Sequence, residues 1–225
     1  DDNSQNYNEQ NDSYTKNYNH RFNARIDYSI DSSNSILFIP RMNLQSNQYS
    51  SSVEGSTLIN SVAANQSINN YNSDLNAYNI DNSLLFRHKF ETTGRTFSLQ
   101  VSTNMNKNSG DTKLISKSTI FNTMNNILET NQDGDIIGDG YRVNSEVNYT
   151  EPINKKSMLQ FTYRPSYTVS NSDKEIYNIM PGEMNNYFLD TLLSNNYENI
   201  YLQHRAGLSY SLRDEIGNLS VGMEY

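Results

Sequence analysis

The chain has 225 residues, of which 35% are hydrophobic and 19% charged, with a formal net charge of −8 and a mean hydropathy of −0.78. A soluble globular domain carries about 45–50% apolar and about 25% charged residues, so core material and solubilising charge are both short. Zero cysteines exclude disulfide frameworks, thiolate zinc sites and cysteine nucleophiles; no run of about 18 apolar residues could form a transmembrane helix; and an acidic chain without a basic stripe argues against nucleic acid as a partner.

Low hydrophobicity invites disorder, but 17 tyrosines and 8 phenylalanines argue against it. The start, Asp1 to Gln5, has neither the basic nor the apolar region of a leader, which reads as a mature or excised chain. Residues 1–17 are polar throughout.

From residue 19 the pattern changes to strict alternation. Phe22, Ala24, Ile26, Tyr28 and Ile30 alternate with Arg21, Asn23, Arg25, Asp27 and Ser29, a period of two that sets one face of a strand apolar and the other polar. Asp31-Ser32-Ser33-Asn34 is turn chemistry, and Ile36, Phe38, Met42 and Leu44 follow at once, which predicts a hairpin over about 19–46. Three more such units are predicted. They span about 75–106 with a turn at Glu91–Arg95, about 141–170 with a turn at Glu151–Lys156, and about 200–225 with a turn at Asp214–Asn218.

Between the hairpins lie long polar connections at about 46–74, 107–139 and 171–199. Loops beyond about 12–15 residues are uncommon in compact domains. Short turns alternating with long loops, joined by strands apolar on one face only, match instead a transmembrane β-barrel, with short periplasmic turns and long extracellular loops. The composition then has a cause, because lipid replaces the missing core and the lumen stays wet. The expected fold is therefore all-β: an antiparallel, up-and-down barrel segment of about eight strands.

The alternation also sorts the candidate functional residues. Arg21, Arg25, Asp27, Arg41, Arg87, Glu146, Arg164 and Arg205 fall at lumen-facing positions, where opposite charges pair across strands or meet a solute. Tyr28, Tyr49, Tyr78, Tyr141, Tyr149, Tyr201 and Tyr210 lie near strand ends, as interfacial aromatic girdles require. His20, His88 and His204 have no metal spacing. Asn131, Asp133 and Asp135 could open a calcium loop, but Ile136 stands where glycine is needed and Arg142 where the closing glutamate belongs; a flexible acidic loop with Gly134, Gly138 and Gly140 as turn residues is expected. Pro40 and Pro165 inside strands read as bulges. No nucleophile-base or paired-carboxylate spacing supports catalysis, and neither a cofactor nor a metal is expected.

The segments His20-Arg21-Phe22-Asn23-Ala24-Arg25-Ile26-Asp27-Tyr28, Ile39-Pro40-Arg41, Leu84-Leu85-Phe86-Arg87-His88-Lys89-Phe90, Gly94-Arg95-Thr96, Tyr149-Thr150-Glu151-Pro152-Ile153 and Gln203-His204-Arg205-Ala206-Gly207-Leu208-Ser209-Tyr210, in this order, resemble the outer membrane protein beta-barrel family related to TonB-dependent receptors. The resemblance spans about residues 18–225. It implies a segment of a barrel of about 22 strands that is plugged and energised from the inner membrane, with residues 1–17 as the remnant of an extracellular loop. No plug or energy-coupling box is present in the sequence, so an excerpt is expected, with a small complete eight-stranded barrel as the variant. The implied partners are outer-membrane lipid, an unidentified solute and, if the full protein has a plug, an inner-membrane energy-coupling protein. Two other readings fit the same composition: a non-transporting surface adhesin barrel, and a soluble secreted β-sandwich or β-solenoid binding module with sequons at Asn11, Asn65, Asn148 and Asn218.

Overall fold

The computed structural model describes residues 4–121, 126–180, 187–214 and 217–225. It contains β1 (Gln5–Asn23), β2 (Ile26–Ser29), β3 (Asn34–Ile59), β4 (Val62–Lys89), β5 (Thr96–Ile120), β6 (Asn126–Pro152), β7 (Ser157–Ile179), β8 (Tyr187–Leu189), β9 (Asn195–Asp214) and β10 (Gly217–Glu224). All belong to one antiparallel sheet in the order β1-β3-β4-β5-β6-β7-β9-β10, with β2 also on β3 and β8 also on β7. Each long strand pairs with its sequence neighbour, so the topology is up-and-down. The sheet is open, with β1 and β10 at its edges.

The short turns form where side chains replace backbone partners. In the first, Asp31 Oδ1 accepts from the backbone N–H groups of Ser33 and Asn34 at 2.7 and 2.8 Å, and the Asn34 amide donates to the same carboxylate. Those bonds, led by the Asn34 side chain, hold the Asp31 carboxyl below the usual carboxylate range. In the second, Gly94 has φ +89°, a conformation glycine adopts without steric cost. In the third, Asn154 Oδ1 accepts from the Lys156 and Ser157 N–H groups at 2.8 and 2.9 Å. Glu215 and Ile216 of the fourth turn lie outside the described residues, and β10 leaves that turn paired to β9 from Gly217 opposite Asp214.

At the other end of the sheet the structure corrects the sequence reading. The stretch 46–74 is strand apart from a two-residue tip, because β3 and β4 stay paired from Asn34↔His88 to Ile59↔Val62. At the tip Asn60 and Ser61 have φ of 52° and 67°, the pair of left-handed residues that a twisted two-residue hairpin turn requires. The stretch 107–139 likewise continues β5 and β6 as far as Ile120↔Asn126. Much of 171–199 belongs to β7, β8 and β9. Residues 5–17, expected as a loop remnant, are paired with β3 from Gln5↔Ile59 onward. In these distal arms Asn, Ser and Thr form side-chain bonds across strands, such as Ser116 Oγ to Asn69 Oδ1 at 2.5 Å and Gln132 Nε2 to Asn178 Oδ1 at 2.9 Å.

Both internal prolines interrupt rungs without shifting register. Pro40 stays opposite Asn82 on β4, and its missing N–H falls where β1 ends and β2 begins, with Ala24 N–H donating to the Pro40 carbonyl at 3.1 Å. Pro165 stays opposite His204 on β9. On the β6 side the pairing passes from Asn144↔Ser166 to Val147↔Tyr163, leaving two residues unpaired on each strand. A lost donor removes a bond, whereas a bulge would need an extra residue.

Register sorts the side chains, since directly opposed residues share a face. One face carries rows such as Ile36–Phe86–Leu99–Val147–Tyr163–Ala206 and Met42–Ile80–Met105–Tyr141–Val169–Ile200. The other carries Asn23–Arg41–Asp81–Asn104–Arg142–Thr168–Tyr201. Nothing covers the apolar face: Phe22 is 56% exposed and Leu202 61%, while Val169 and Ile176 are the buried apolar side chains among the described residues. From Tyr78 on β4 to Phe90 just past its end, at about 3.4 Å per residue and about 40° of tilt, the apolar band is about 30 Å tall, the thickness of a bilayer's hydrocarbon core. Beyond Tyr78 the arm to Val62 rises about 40 Å further by the same geometry.

Candidate functional site

The polar face is built by the same alternation that makes the other face apolar. Arg21, Arg25, Asp27, Arg41, Arg87, Glu146, Arg164 and Arg205 all occupy it by register and parity. They do not form one cluster. Arg25, in the break between β1 and β2, reaches Asp27 of β2 at 3.5 Å, and Arg21 donates to Asn19 Oδ1 at 3.2 Å. Across strands, Arg164 meets Glu146 of β6 at 3.1 Å and Glu224 of β10 at 3.3 Å. Arg41 and Arg87 enter no ion pair among the described residues.

Side chains outside that set complete the wall. Asp81 accepts from Asn79 at 2.6 Å and from Asn104 at 2.7 Å, and Asn104 also donates to Asn79 Oδ1 at 2.8 Å. Asp81 and Asn104 line a hollow of about 590 Å³ with Arg41 and Arg142. Ser166 Oγ donates to Asn144 Oδ1 at 2.6 Å, and Arg142 Nε donates to Thr168 Oγ1 at 3.2 Å. Arg142 was legible in the sequence as a polar-phase residue, and only its grouping with Arg164 and Arg205 needed the register.

Five of the seven tyrosines, Tyr28, Tyr78, Tyr141, Tyr149 and Tyr210, sit on the apolar face by register. Tyr49 and Tyr201 do not. Tyr201 lies in the row of Arg142 and Thr168, and Tyr49, opposite Ser73 in a distal arm, packs against Tyr71 with ring centres 6.1 Å apart. Their odd positions, in strands whose even positions face outward, put them on the inner wall. His88 lies on the apolar face, Nδ1 2.7 Å from Asn34 Oδ1 and its ring edge-on to Phe90.

The acidic segment is also placed differently from expectation. Asp133, Gly134 and Asp135 lie in mid-strand β6, opposite Lys113, Thr112 and Asp111, so they form no flexible loop and Gly134, Gly138 and Gly140 are not turn residues. A Cβ at Gly140 would meet the Val169 carbonyl oxygen at 2.9 Å, a backbone contact that explains glycine there by close approach. Alternate residues of a straight strand are spread along it and cannot wrap a cation. Among the described residues no set of three or more acidic or histidine side chains could hold a metal.

One up-and-down sheet, uncovered and apolar on one side and polar on the other, is the wall of a transmembrane β-barrel, since only a closed barrel or a helix satisfies the backbone in hydrocarbon. The chain belongs to the outer membrane protein beta-barrel family, whose sequence pattern matches residues 88–222, and this places the wall in an outer membrane. No curated protein matches the chain. Among solved structures, the closed form of the ferric-catecholate import receptor Fiu from E. coli K12 is similar at 8% identity, over 94% of this chain and 49% of that one, with a TM-score of 0.20. The chain thus spans about half the length of that receptor.

Proposed function

We propose that this chain is part of the barrel wall of a TonB-dependent receptor-like transporter, with the short turns in the periplasm, the long hairpin arms outside the cell and the polar face lining the lumen. The observation that carries this reading is the asymmetry of the sheet: turns of a few residues close one end, while arms far longer than a membrane span leave the other. Short periplasmic and long external connections are the rule for such barrels. The arms would meet a solute first, and the guanidinium-bearing wall would be met next. Passage would need a plug in the lumen and an inner-membrane protein to move it. A non-transporting adhesin would keep the arms and have no use for a charged lumen. A soluble sandwich needs a second sheet over the apolar face, and the described residues form one sheet only.

The test uses cysteine placement in the native full-length protein. With no cysteine in this chain, Ser61→Cys marks an arm tip and Lys155→Cys a short turn. A membrane-impermeant maleimide should label the tip on intact cells, and the turn only after the outer membrane is opened. Labelling of the turn alone on intact cells, or recovery of the protein without detergent, would overturn the reading.

A further inference from the structure

The inner face of β6, β7 and β9 forms a three-by-three patch. Arg142 lies opposite Thr168 and Tyr201, Asn144 opposite Ser166 and Gln203, and Arg164 opposite Arg205, with Glu146 two residues beyond Asn144 on β6. Three guanidiniums therefore share this patch with one carboxylate. A hollow of about 440 Å³ opens over it.

The partners divide the arginines. Arg164 is neutralised by Glu146 at 3.1 Å and by Glu224 at 3.3 Å. Arg142 donates to the Thr168 hydroxyl, and Arg205 meets Gln203, whose amide oxygen, turned toward it, accepts at 2.6 and 2.8 Å. Among the described residues neither Arg142 nor Arg205 has a carboxylate partner. Arg164 and Arg205 also stand directly opposite one another, an arrangement of like charges that costs stability unless something else uses it. This occurs in a chain whose formal net charge is −8, so positive charge is concentrated on the wall against the overall balance.

We infer that this patch is a binding site for a small solute bearing two or more carboxylate or phosphate groups, held between Arg142 and Arg205 with the Ser166 and Tyr201 hydroxyls within the same hollow. Two cations at opposite corners of the patch match a ligand with separated anionic groups better than a single small ion. Planar guanidinium forks are the groups that hold carboxylate and phosphate oxygens in pairs. The inference rests on the assignment of the polar face to the lumen proposed above.

The experiment is calorimetric titration of the full-length protein in detergent with citrate and, separately, tripolyphosphate, using spermidine and maltose as cationic and neutral controls. Both anions should bind, the controls should not, and raising salt should weaken binding. Arg142→Gln and Arg205→Gln should each raise Kd about tenfold or more, while the Lys replacements retain most of the salt-dependent part. Lys89→Gln, which removes a cation on the same face outside the patch, should leave Kd unchanged. Absence of heat with both anions would overturn the proposal, whether the cause is an empty patch or an acidic segment of the protein already seated there. Equal losses for Lys89→Gln and Arg205→Gln would overturn it as well, by showing a diffuse charge effect. These outcomes are separable from failure of the lumen assignment, because the maleimide labelling of Ser61→Cys reports orientation whether or not an anion binds.

Discussion

Asp135 stands in a row of four carboxylates, Asp74, Asp111, Asp135 and Glu175, directly opposite one another on β4, β5, β6 and β7. Its hydrogen bond with Asp111, reinforced by burial and by the charges of Asp111, Glu175 and Asp133, holds its carboxyl above the usual aspartate range. A carboxyl whose folded value is raised stabilises the fold on the acid side, and that contribution fades as pH climbs through the raised value. Asp31 has the opposite sign: its carboxyl is held down, so its contribution is present above the ordinary value of about 3.9 and is lost as pH falls through the depressed one. Mild acid should therefore tighten the middle of the distal arms, whereas the first short turn weakens only in stronger acid. Hydrogen-exchange protection of 111–113 and 133–135, taken relative to the unfolded-chain rate at each pH, should rise as pH falls from neutral toward the raised value, and Asp135→Asn should flatten that change and add roughly 0.2–1 kcal/mol of protection at pH 7. Unchanged exchange in the variant would mean the row carries no mutual repulsion.

At the scale of elements, lipid decides what the sequence shows. Where a strand crosses hydrocarbon one face must be apolar, so the stretches containing Phe22–Ile30 and Phe97–Met105 announce themselves by alternation. Above the band neither face meets lipid, and the arms are rich in Asn and Ser, which carry weak strand preference and no two-residue signal. Their pairing is sustained by backbone rungs and by bonds such as Ser118 Oγ to Asn65 Oδ1 at 3.1 Å. A usable signal was the near absence of breakers: none of the 4 prolines falls in 46–74 or 107–139. The grouping of Arg142, Arg164 and Arg205 was hidden for another reason, since alternation gives a residue's face but not its cross-strand neighbour. Parity predicts contrasting substitutions. Val101→Arg, on the apolar face beside Leu84, should cost about 2–4 kcal/mol in folding from urea into vesicles, and Ser102→Arg, one residue on and facing the polar side, should cost far less. At the tip, Ser61 holds a φ of 67° that glycine tolerates better, so Ser61→Gly should protect the β3–β4 arm by about 1 kcal/mol in hydrogen exchange.

At the scale of the whole molecule, the described residues form a sheet without a second layer, and its stability is inseparable from its solvent. The uncovered apolar rows exceed the few hundred Å² that a soluble surface tolerates, and the open edges at β1 and β10 offer unpaired backbone to any neighbour. The chain isolated in plain buffer should aggregate, and sedimentation of a monodisperse β-rich species without detergent would contradict that expectation. With the orientation proposed above, the arms raise a different question, which is how they would reach the far side of the membrane at all. An unfolded arm carries a polar backbone, and each unpaired N–H or C=O in hydrocarbon costs several kcal/mol, so threading it as a bare coil is prohibitive. A hairpin that has zipped from its tip crosses with the inward-facing half of those groups already matched. On that orientation the two left-handed residues at Asn60 and Ser61 would act as timing elements of secretion, because how fast they close would set how much naked chain the assembly machinery must shelter before the wall is complete.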